Sequence, residues 1–243
     1  MDCSYIFLYL LSKIIYFDHL IDILGSDHHG YIARVKAGLT AMGHRANDVE
    51  VELVQFVRLF RAGIKQSMST RSGEFITLRQ LREEAGNDAA RFFYIMRSNE
   101  QHLDFDLELA KSKSNENPVY YIQYAHARIA SVFRQLDEKI LTFEEDSGKR
   151  NLTLLKSTKE KNIMSLLSRF PEIIELSANN RAPHNLAQYL RDLATEFHSY
   201  YNDSTFIVDE SDIRNARLVL IKSIQIVLGN GLKLLGVSAP EAM

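Results

Sequence analysis

With 243 residues, 46% of them hydrophobic and 25% charged, the chain has the composition of an ordinary globular protein of one large or two modest domains. Its 29 Lys and Arg against 31 Asp and Glu give a formal charge of −2, which excludes holding nucleic acid by bulk charge alone; an RNA contact has to come from local patches, shape and stacking. One cysteine, Cys3, excludes an intramolecular disulfide and a cysteine-based zinc site, and fits a reducing cytoplasmic setting.

At the amino terminus, the apolar runs Ile6–Leu11 and Ile14–Phe17 have no basic segment before them and no small-residue cleavage site after them. Lys13 interrupts them, so they read as a short buried strand or helix and not as a leader or a membrane span. Leu20–Leu24 predicts a strand closed by Gly25. From Tyr31, Val35, Leu39 and Met42 recur on one face of a helix that Gly43 ends. Val49, Val51 and Leu53 alternate, and Leu53–Val57 becomes nearly continuous, as in a buried strand. Strand, helix and strand make a βαβ unit with a parallel sheet. Ligands bind beyond the carboxyl ends of such strands, which places Ser26–Gly30 and Lys65–Glu74 on the same sheet edge as candidate site loops.

Within the first loop, Asp27, His28 and His29 are adjacent, so their side chains point apart, and no third ligand stands at useful spacing; this argues against a metal. Asp27 is also placed to cap the following helix. In the second loop, Lys65 and Arg71 bracket the hydroxyls of Ser67, Ser69 and Thr70, with Met68 among them, offering cations and donors to an anion. A solvated Ser/Thr turn is the other reading of that composition.

Further along, Leu78–Arg82 and Ala89–Arg97 predict two helices, the second capped by Asn87 or Asp88, with Arg91 and Arg97 solvated or ion-paired. Leu103, Phe105, Leu107 and Leu109 alternate with Asp104, Asp106 and Glu108, which predicts a half-buried extended segment and not a cation site. Helical stripes follow: Ile122, Ala125, Ile129, Val132 or Phe133, and Leu136; Ile163, Leu166, Leu167 and Phe170, ending before Pro171; Leu186, Leu190, Leu193, Phe197 and Tyr200, after Pro183; and Ile213, Leu220, Ile224, Val227, Gly231 and Leu234. Glu144–Gly148 reads as an exposed tip between the first two. Four amphipathic helices bury their stripes only against one another, which makes a bundle. On its first helix Tyr120, Tyr121, Tyr124, His126 and Arg128 are either core residues with bonded hydroxyls or a face that stacks on unpaired bases and holds phosphates.

Four stretches in order carry a family resemblance: Gly25-Ser26-Asp27-His28-His29-Gly30-Tyr31; Ser67-Met68-Ser69-Thr70-Arg71; Asn117 through Arg128; and Leu235-Gly236-Val237-Ser238-Ala239-Pro240. The second resembles the KMSKS loop of class I aminoacyl-tRNA synthetases, and together they resemble the carboxyl-terminal portion of arginyl-tRNA synthetase, from about Leu20 onward. The resemblance implies an α/β plus all-α fold, in which a partial Rossmann-type nucleotide-binding parallel sheet is followed by an α-helical anticodon-binding bundle. The implied segments are 1–77 for the catalytic half-fold, 78–112 for a connecting region and 113–243 for the anticodon-binding domain.

The activity implied is ATP-dependent arginylation of arginine tRNA, with Mg2+ accompanying ATP as substrate, no prosthetic group, no resident metal and no DNA or membrane partner. Ser67, Met68, Ser69, Thr70 and Arg71 would close over the triphosphate. Ser67 and Thr70 stand where the family has lysines, which leaves the charge to Arg71, to Lys65 or to a lysine elsewhere in a full-length enzyme. Asp27, His28, His29 and Gly30 would contact adenosine, Tyr9 is placed for arginine by position, and Tyr120, Tyr124, His126, Arg128 and Met243 would contact tRNA. The family's HIGH motif is not found in this sequence. The expectation is therefore a gene fragment that works with a separate amino-terminal half of a monomeric enzyme; the alternative is a catalytically inactive anticodon-binding module or remnant.

Overall fold

Strands β1 (Leu20–Gly25) and β2 (Val49–Val54) pair in parallel, Leu20 opposite Val49 and Gly25 opposite Val54, with helix α1 (Ile32–Ala41) on the crossover. This computed structural model describes residues 20–66 and 76–243. Tyr9, the amino-terminal apolar runs, and Ser67, Met68, Ser69, Thr70 and Arg71 lie outside the described residues. Two compact units divide the chain: one reaches to Arg58 and includes Ser98–Asp104, and the other comprises Leu59–Arg97 and Phe105–Met243.

In the first unit the expected βαβ arrangement is present. The period-2 face of β2 presents Val49 and Val51 to the helical stripe of Val35 and Leu39, and Leu20 completes this small core. Two details differ from the sequence reading. A 3-10 turn over Ser26–Tyr31 separates β1 from α1. Strand β2 is only half-buried and stops at Val54 instead of running on to Val57, because the Gln55 N–H turns away to donate to Asn99 O at 2.8 Å. A fully buried strand needs cover on both faces, and among the described residues α1 covers one.

Val57–Arg61 forms a separate strand, β3, which pairs antiparallel with β4 (Ile64–Lys65) and lies between it and β5 (Leu103–Asp106). Ala62 and Gly63 both have positive φ, +50° and +76°, the conformation of a two-residue hairpin turn. Lys65 thus stands in a hairpin of the second sheet. Lys65 and the strand before Ser26–Gly30 therefore belong to different sheets, since the run assumed to be one strand is broken at Gln55–Phe56.

Helix α2 (Leu78–Ala85) starts at a capping box in which Thr77 and Gln80 each accept from the other's backbone N–H. Gly86, at φ +83°, turns the chain into α3 (Asn87–Ile95) and occupies its N-cap, so neither Asn87 nor Asp88 is the cap. Asn87 instead accepts from Arg82 Nε at 2.7 Å. The extended segment predicted through Leu109 ends at Asp106, whose carboxylate caps α4 (Leu107–Lys111). The acids that alternate here are each engaged within the fold. Asp104 holds Arg58 at 2.6 Å, Asp106 caps, and Glu108 meets Lys111 at 3.3 Å.

The bundle comprises α5 (Pro118–Glu138), α6 (Glu145–Arg150), α7 (Thr158–Ser168), α8 (Phe170–Asn179), α9 (Pro183–Asp203) and α10 (Ser211–Leu234). Asn117 caps α5 with its side-chain oxygen, while its Nδ2 donates to Ala110 O and Ser112 O, and Pro118 fills the first turn. The stripes expected on α5 and α9 are buried. On α10 the buried face centres on Ala216, Leu220, Ile224, Leu228 and Leu232, and Leu234 is 60% exposed. Pro171 begins α8 and does not merely end a helix. Glu144, Glu145 and Asp146 are exposed, as expected, but the stretch is not a free tip: it opens α6, which packs on α10 with Gly148 buried at the crossing.

Glycines on or against α10 set its packing distances. A Cβ at Gly148 would lie 2.8 Å from the Asn215 carbonyl carbon, and one at Gly231 would lie 2.5 Å from Leu190 Cδ2, which is itself fully buried. A Cβ at Gly229 would meet His126 at an ordinary 3.7 Å. Gly148→Ala and Gly231→Ala are therefore expected to destabilise by about 1–3 kcal/mol through overpacking. Gly229→Ala is expected to stabilise by up to about 1 kcal/mol through helix propensity. Denaturant midpoints of the three variants check the opposite signs.

Candidate nucleic-acid interface

Residues four apart on a helix lie one above another, so Tyr120, Tyr124 and Arg128 form a single row on α5. The structure makes this row a stack. The rings of Tyr120 and Tyr124 lie 5.8 Å apart and 21° from parallel. The Arg128 guanidinium sits 4.5 Å from the centre of the Tyr124 ring and 4.8 Å from that of Tyr201 on α9. The row is half-buried, and Tyr124 is the one ring packed against Tyr120 among the described residues. Such cation–π contacts contribute about 0.5–2 kcal/mol each, the larger value when desolvated.

Behind the row lies His198, 7% exposed. Its Nδ1 is 3.2 Å from Arg128 Nη1 and its Nε2 is 3.1 Å from Tyr121 O, while the Tyr121 ring packs on it at 4.5 Å. Burial lowers the His198 pKa below the usual histidine range. The hydrogen bond to Tyr121 O works against that shift, and the neighbouring Arg128 charge adds to it.

The carboxyl-terminal tail is tied down beside this row. Gly236, at φ +69°, turns the chain after α10, where a Cβ would lie 2.5 Å from Arg91 Nε. Arg91, expected to be solvated or ion-paired, instead donates to Leu235 O at 2.6 Å. Gln123 donates to both Asp88 Oδ2 and Ser238 O at 2.9 Å, and the Ser238 hydroxyl also donates to Asp88. His126 Nδ1 donates to Pro240 O at 2.9 Å, and Arg134 donates to Glu241 O at 3.0 Å. These bonds bring Met243 to a cavity of about 450 Å3, shared with Tyr120, Lys111, Lys113 and Asn117.

Of the expected RNA-contact residues, Tyr120, Tyr124 and Arg128 therefore come together, and Met243 lines the cavity next to Tyr120. His126 is 8% exposed and holds the tail. Sequence reasoning missed Tyr201, His198, Asp88 and Gln123. The tyrosine row was visible as a four-residue spacing, but its partners lie on other elements distant in the chain.

The other candidate site stands by itself in the first unit. The 3-10 turn after β1 leaves Asp27, His29 and Gly30 exposed. Asp27 caps no helix; its carboxylate is 3.8 Å from His28 Nε2. His29 Nδ1 is 3.3 Å from Ser26 O, and nothing lies within 4 Å of a Cβ placed on Gly30, so the backbone there is open to close approach. Lys65, which belongs to the second unit, is exposed on β4. Among the described residues no cluster of three or more His, Cys, Asp or Glu is arranged to hold a metal, and no helix is long and apolar enough to cross a membrane.

The DALR anticodon binding domain family matches residues 122–243. Curated relatives include the arginine–tRNA ligase of Coxiella burnetii (strain RSA 493 / Nine Mile phase I), 57% identical over 227 residues. That of Legionella pneumophila (strain Corby) is 56% identical over the same length. The alignments cover 93% of this chain but only 38% and 39% of those relatives. A Campylobacter jejuni crystal structure assigned as an arginyl-tRNA synthetase superposes over 100% of this chain and 52% of its own, with a TM-score of 0.87 at 29% identity. The Thermus thermophilus arginyl-tRNA synthetase, 24% identical over 93% of this chain and 41% of its own, shares the fold with a TM-score of 0.70.

The Asp88 carboxylate joins two donors that hold the tail. Asp88→Ala is expected to raise amide hydrogen exchange in residues 237–241 about tenfold, as for a lost charge-assisted bond worth ~1.4 kcal/mol, and to leave α9 and α10 protected. Exchange measured by mass spectrometry checks this.

Proposed function

Since the chain belongs to the DALR anticodon binding domain family and corresponds to the carboxyl-terminal portion of arginine–tRNA ligases, we propose that it provides the anticodon-binding bundle and part of the ATP site of an ATP-dependent arginine–tRNA ligase. The enzyme acts as a monomer in the cytoplasm. It joins the arginine carboxylate to the AMP portion of ATP, releasing pyrophosphate, and transfers arginine to the terminal ribose of arginine tRNA, with AMP as the leaving group. No covalent bond to the protein is needed, so positioning and charge stabilisation carry the catalysis. The match spans both the half-sheet and the bundle, which favours this reading over a detached RNA-binding module.

The observation that carries the reading is the planar row Tyr120–Tyr124–Arg128–Tyr201 beside a cavity that Tyr120 also lines. One face of Tyr120 is taken by Tyr124, and an unpaired anticodon base stacks at the end of the row, toward the cavity. Lys111 and Lys113 reach its phosphates, and Met243 closes one side. Because stacking does not depend on net charge, such a face works in a chain of charge −2. In the first unit, the turn Asp27–Gly30 lies beyond the carboxyl end of parallel strand β1, where nucleotides are bound in open α/β sheets. Its open backbone receives the adenosine; by their chemistry alone, Lys65 and the stretch Ser67–Arg71 are the groups suited to the triphosphate with its Mg2+. In this reading 1–77 belongs to the catalytic fold, 78–112 connects, and 113–243 binds the anticodon arm.

Binding of labelled arginine tRNA by the full chain tests the proposal. Tyr120→Ala is expected to weaken affinity about 5- to 150-fold, the equivalent of ~1–3 kcal/mol for one lost base stack. The slope of affinity against salt should stay unchanged, because no phosphate contact is removed. Equal affinity for an arginine tRNA and for the same tRNA with an altered anticodon would refute the assignment.

A further inference from the structure

His198 is tied at both ring nitrogens, and the partners decide its state. Tyr121 O can only accept, so Nε2 carries the proton and donates to it across 3.1 Å. Arg128 can only donate, and a guanidinium is not deprotonated in proteins, so Nδ1, 3.2 Å from Nη1, must present its lone pair. The neutral Nε2–H tautomer alone satisfies both contacts. A proton on Nδ1 would remove the acceptor and set a second cation against the guanidinium inside a buried site.

The surroundings offer no compensation. Arg128, Tyr121 and Tyr124 face the ring from α5, and Phe197 faces it from α9. Among the other helices packed on α9, α7 directs Lys159 to Asp203 and Glu160 to Tyr200, α8 places Phe170 against Tyr189, and α10 directs Arg217 toward Glu160. On α3, Asp88 and Arg91 are engaged with the tail. Among the described residues no carboxylate is a partner of His198.

We infer that His198 is a positioning residue: in its neutral form it locks the Arg128 guanidinium between Tyr124 and Tyr201, and its protonation unlocks the row, so RNA affinity at this face falls on acidification. The inference rests on the reading of that face as the RNA contact. Its sign is opposite to the bulk trend. The chain has 8 histidines, and charging them at lower pH would otherwise strengthen binding to a polyanion. The lowered pKa agrees in direction with the lock. It also gives a sign for stability: the unfolded chain takes up the proton more readily than the fold does. The contribution of His198 is then fully present above the unfolded-state pKa near 6.5 and is lost as pH falls below it.

The test uses the full chain and a labelled anticodon stem-loop of arginine tRNA from pH 7.5 downward, with nitrogen-15 spectra of the free protein in parallel. Wild-type affinity is expected to drop at least threefold once the pH is taken low enough for the spectra to show a proton on Nδ1. His198→Gln, whose amide nitrogen donates to Tyr121 O and whose oxygen accepts from Arg128, should keep the affinity and lose the acid response. His198→Phe, which fills the site without an acceptor, should bind at least fivefold more weakly than wild type at pH 7.5. The spectra should show Nε2 protonated and Nδ1 free at pH 7.5, with the Arg128 guanidinium signals shifting as Nδ1 is protonated. An affinity that rises on acidification equally in wild type and His198→Gln would overturn the inference, as would a ring protonated at Nδ1 at pH 7.5. Absence of RNA binding at every pH, with the spectra as expected, would refute the RNA reading of the face while upholding the His198–Arg128 lock.

Discussion

Helix α10 touches α5, α6, α7 and α9, and a helix surrounded in this way has to be narrow where its neighbours come closest. Leu190 of α9 approaches the backbone at Gly231, and the backbone of α6 at Gly148 approaches Asn215. Elsewhere α10 fills the space with Leu218, Leu220, Ile221, Ile224, Leu228 and Leu232, all at most 3% exposed. Interiors are packed as densely as organic crystals, so these crossings fix how α9 lies in the bundle. They thereby fix where α9 presents His198 and Tyr201 to α5. The geometry of the surface row descends from packing distances deep in the core.

That dependence explains how a nearly neutral chain can build the face proposed for RNA. Long flexible cations on the surface act through number and through salt-sensitive charge. Here one guanidinium lies against two tyrosine rings and is anchored by a buried imidazole. Ordering a long side chain costs conformational entropy; in this arrangement folding incurs that cost and binding does not. The tail acts in the same sense. It has no helix or strand of its own, yet side chains of α3 and α5 hold its backbone or hydroxyls at Leu235, Ser238, Pro240 and Glu241. The wall of the cavity beside Tyr120 is thus formed before any ligand arrives.

Much of the fold was legible in the sequence where one period dominates. The βαβ unit followed from Leu20–Leu24, the Val35–Leu39 stripe and the alternation at Val49 and Val51. The stripes of α5 and α9 followed from four-residue spacing. What failed was local punctuation. Gln55–Phe56 break a run that hydrophobicity alone joins, because one backbone N–H finds a partner in Asn99. Glu145–Arg150 looks solvated by composition, but Gly148 lets it dock on α10. Of the candidate interface, the row on α5 could be seen in advance because a helix places Tyr120, Tyr124 and Arg128 in line. His198 and Tyr201 could not, since pairing across helices depends on how α9 is rotated, and neither adjoins a recognisable motif.

RNA is expected to meet this protein at the α5–α9 row and the neighbouring tail cavity. Photo-crosslinking of arginine tRNA to the full chain, with both partners of each crosslink identified by mass spectrometry, tests this most directly. Anticodon-loop nucleotides joined to peptides containing Tyr120, Tyr124 or Met243 are the predicted result. Crosslinks from the anticodon loop that fall only on α6, α7 or α8, with none on α5 or the tail, would contradict it.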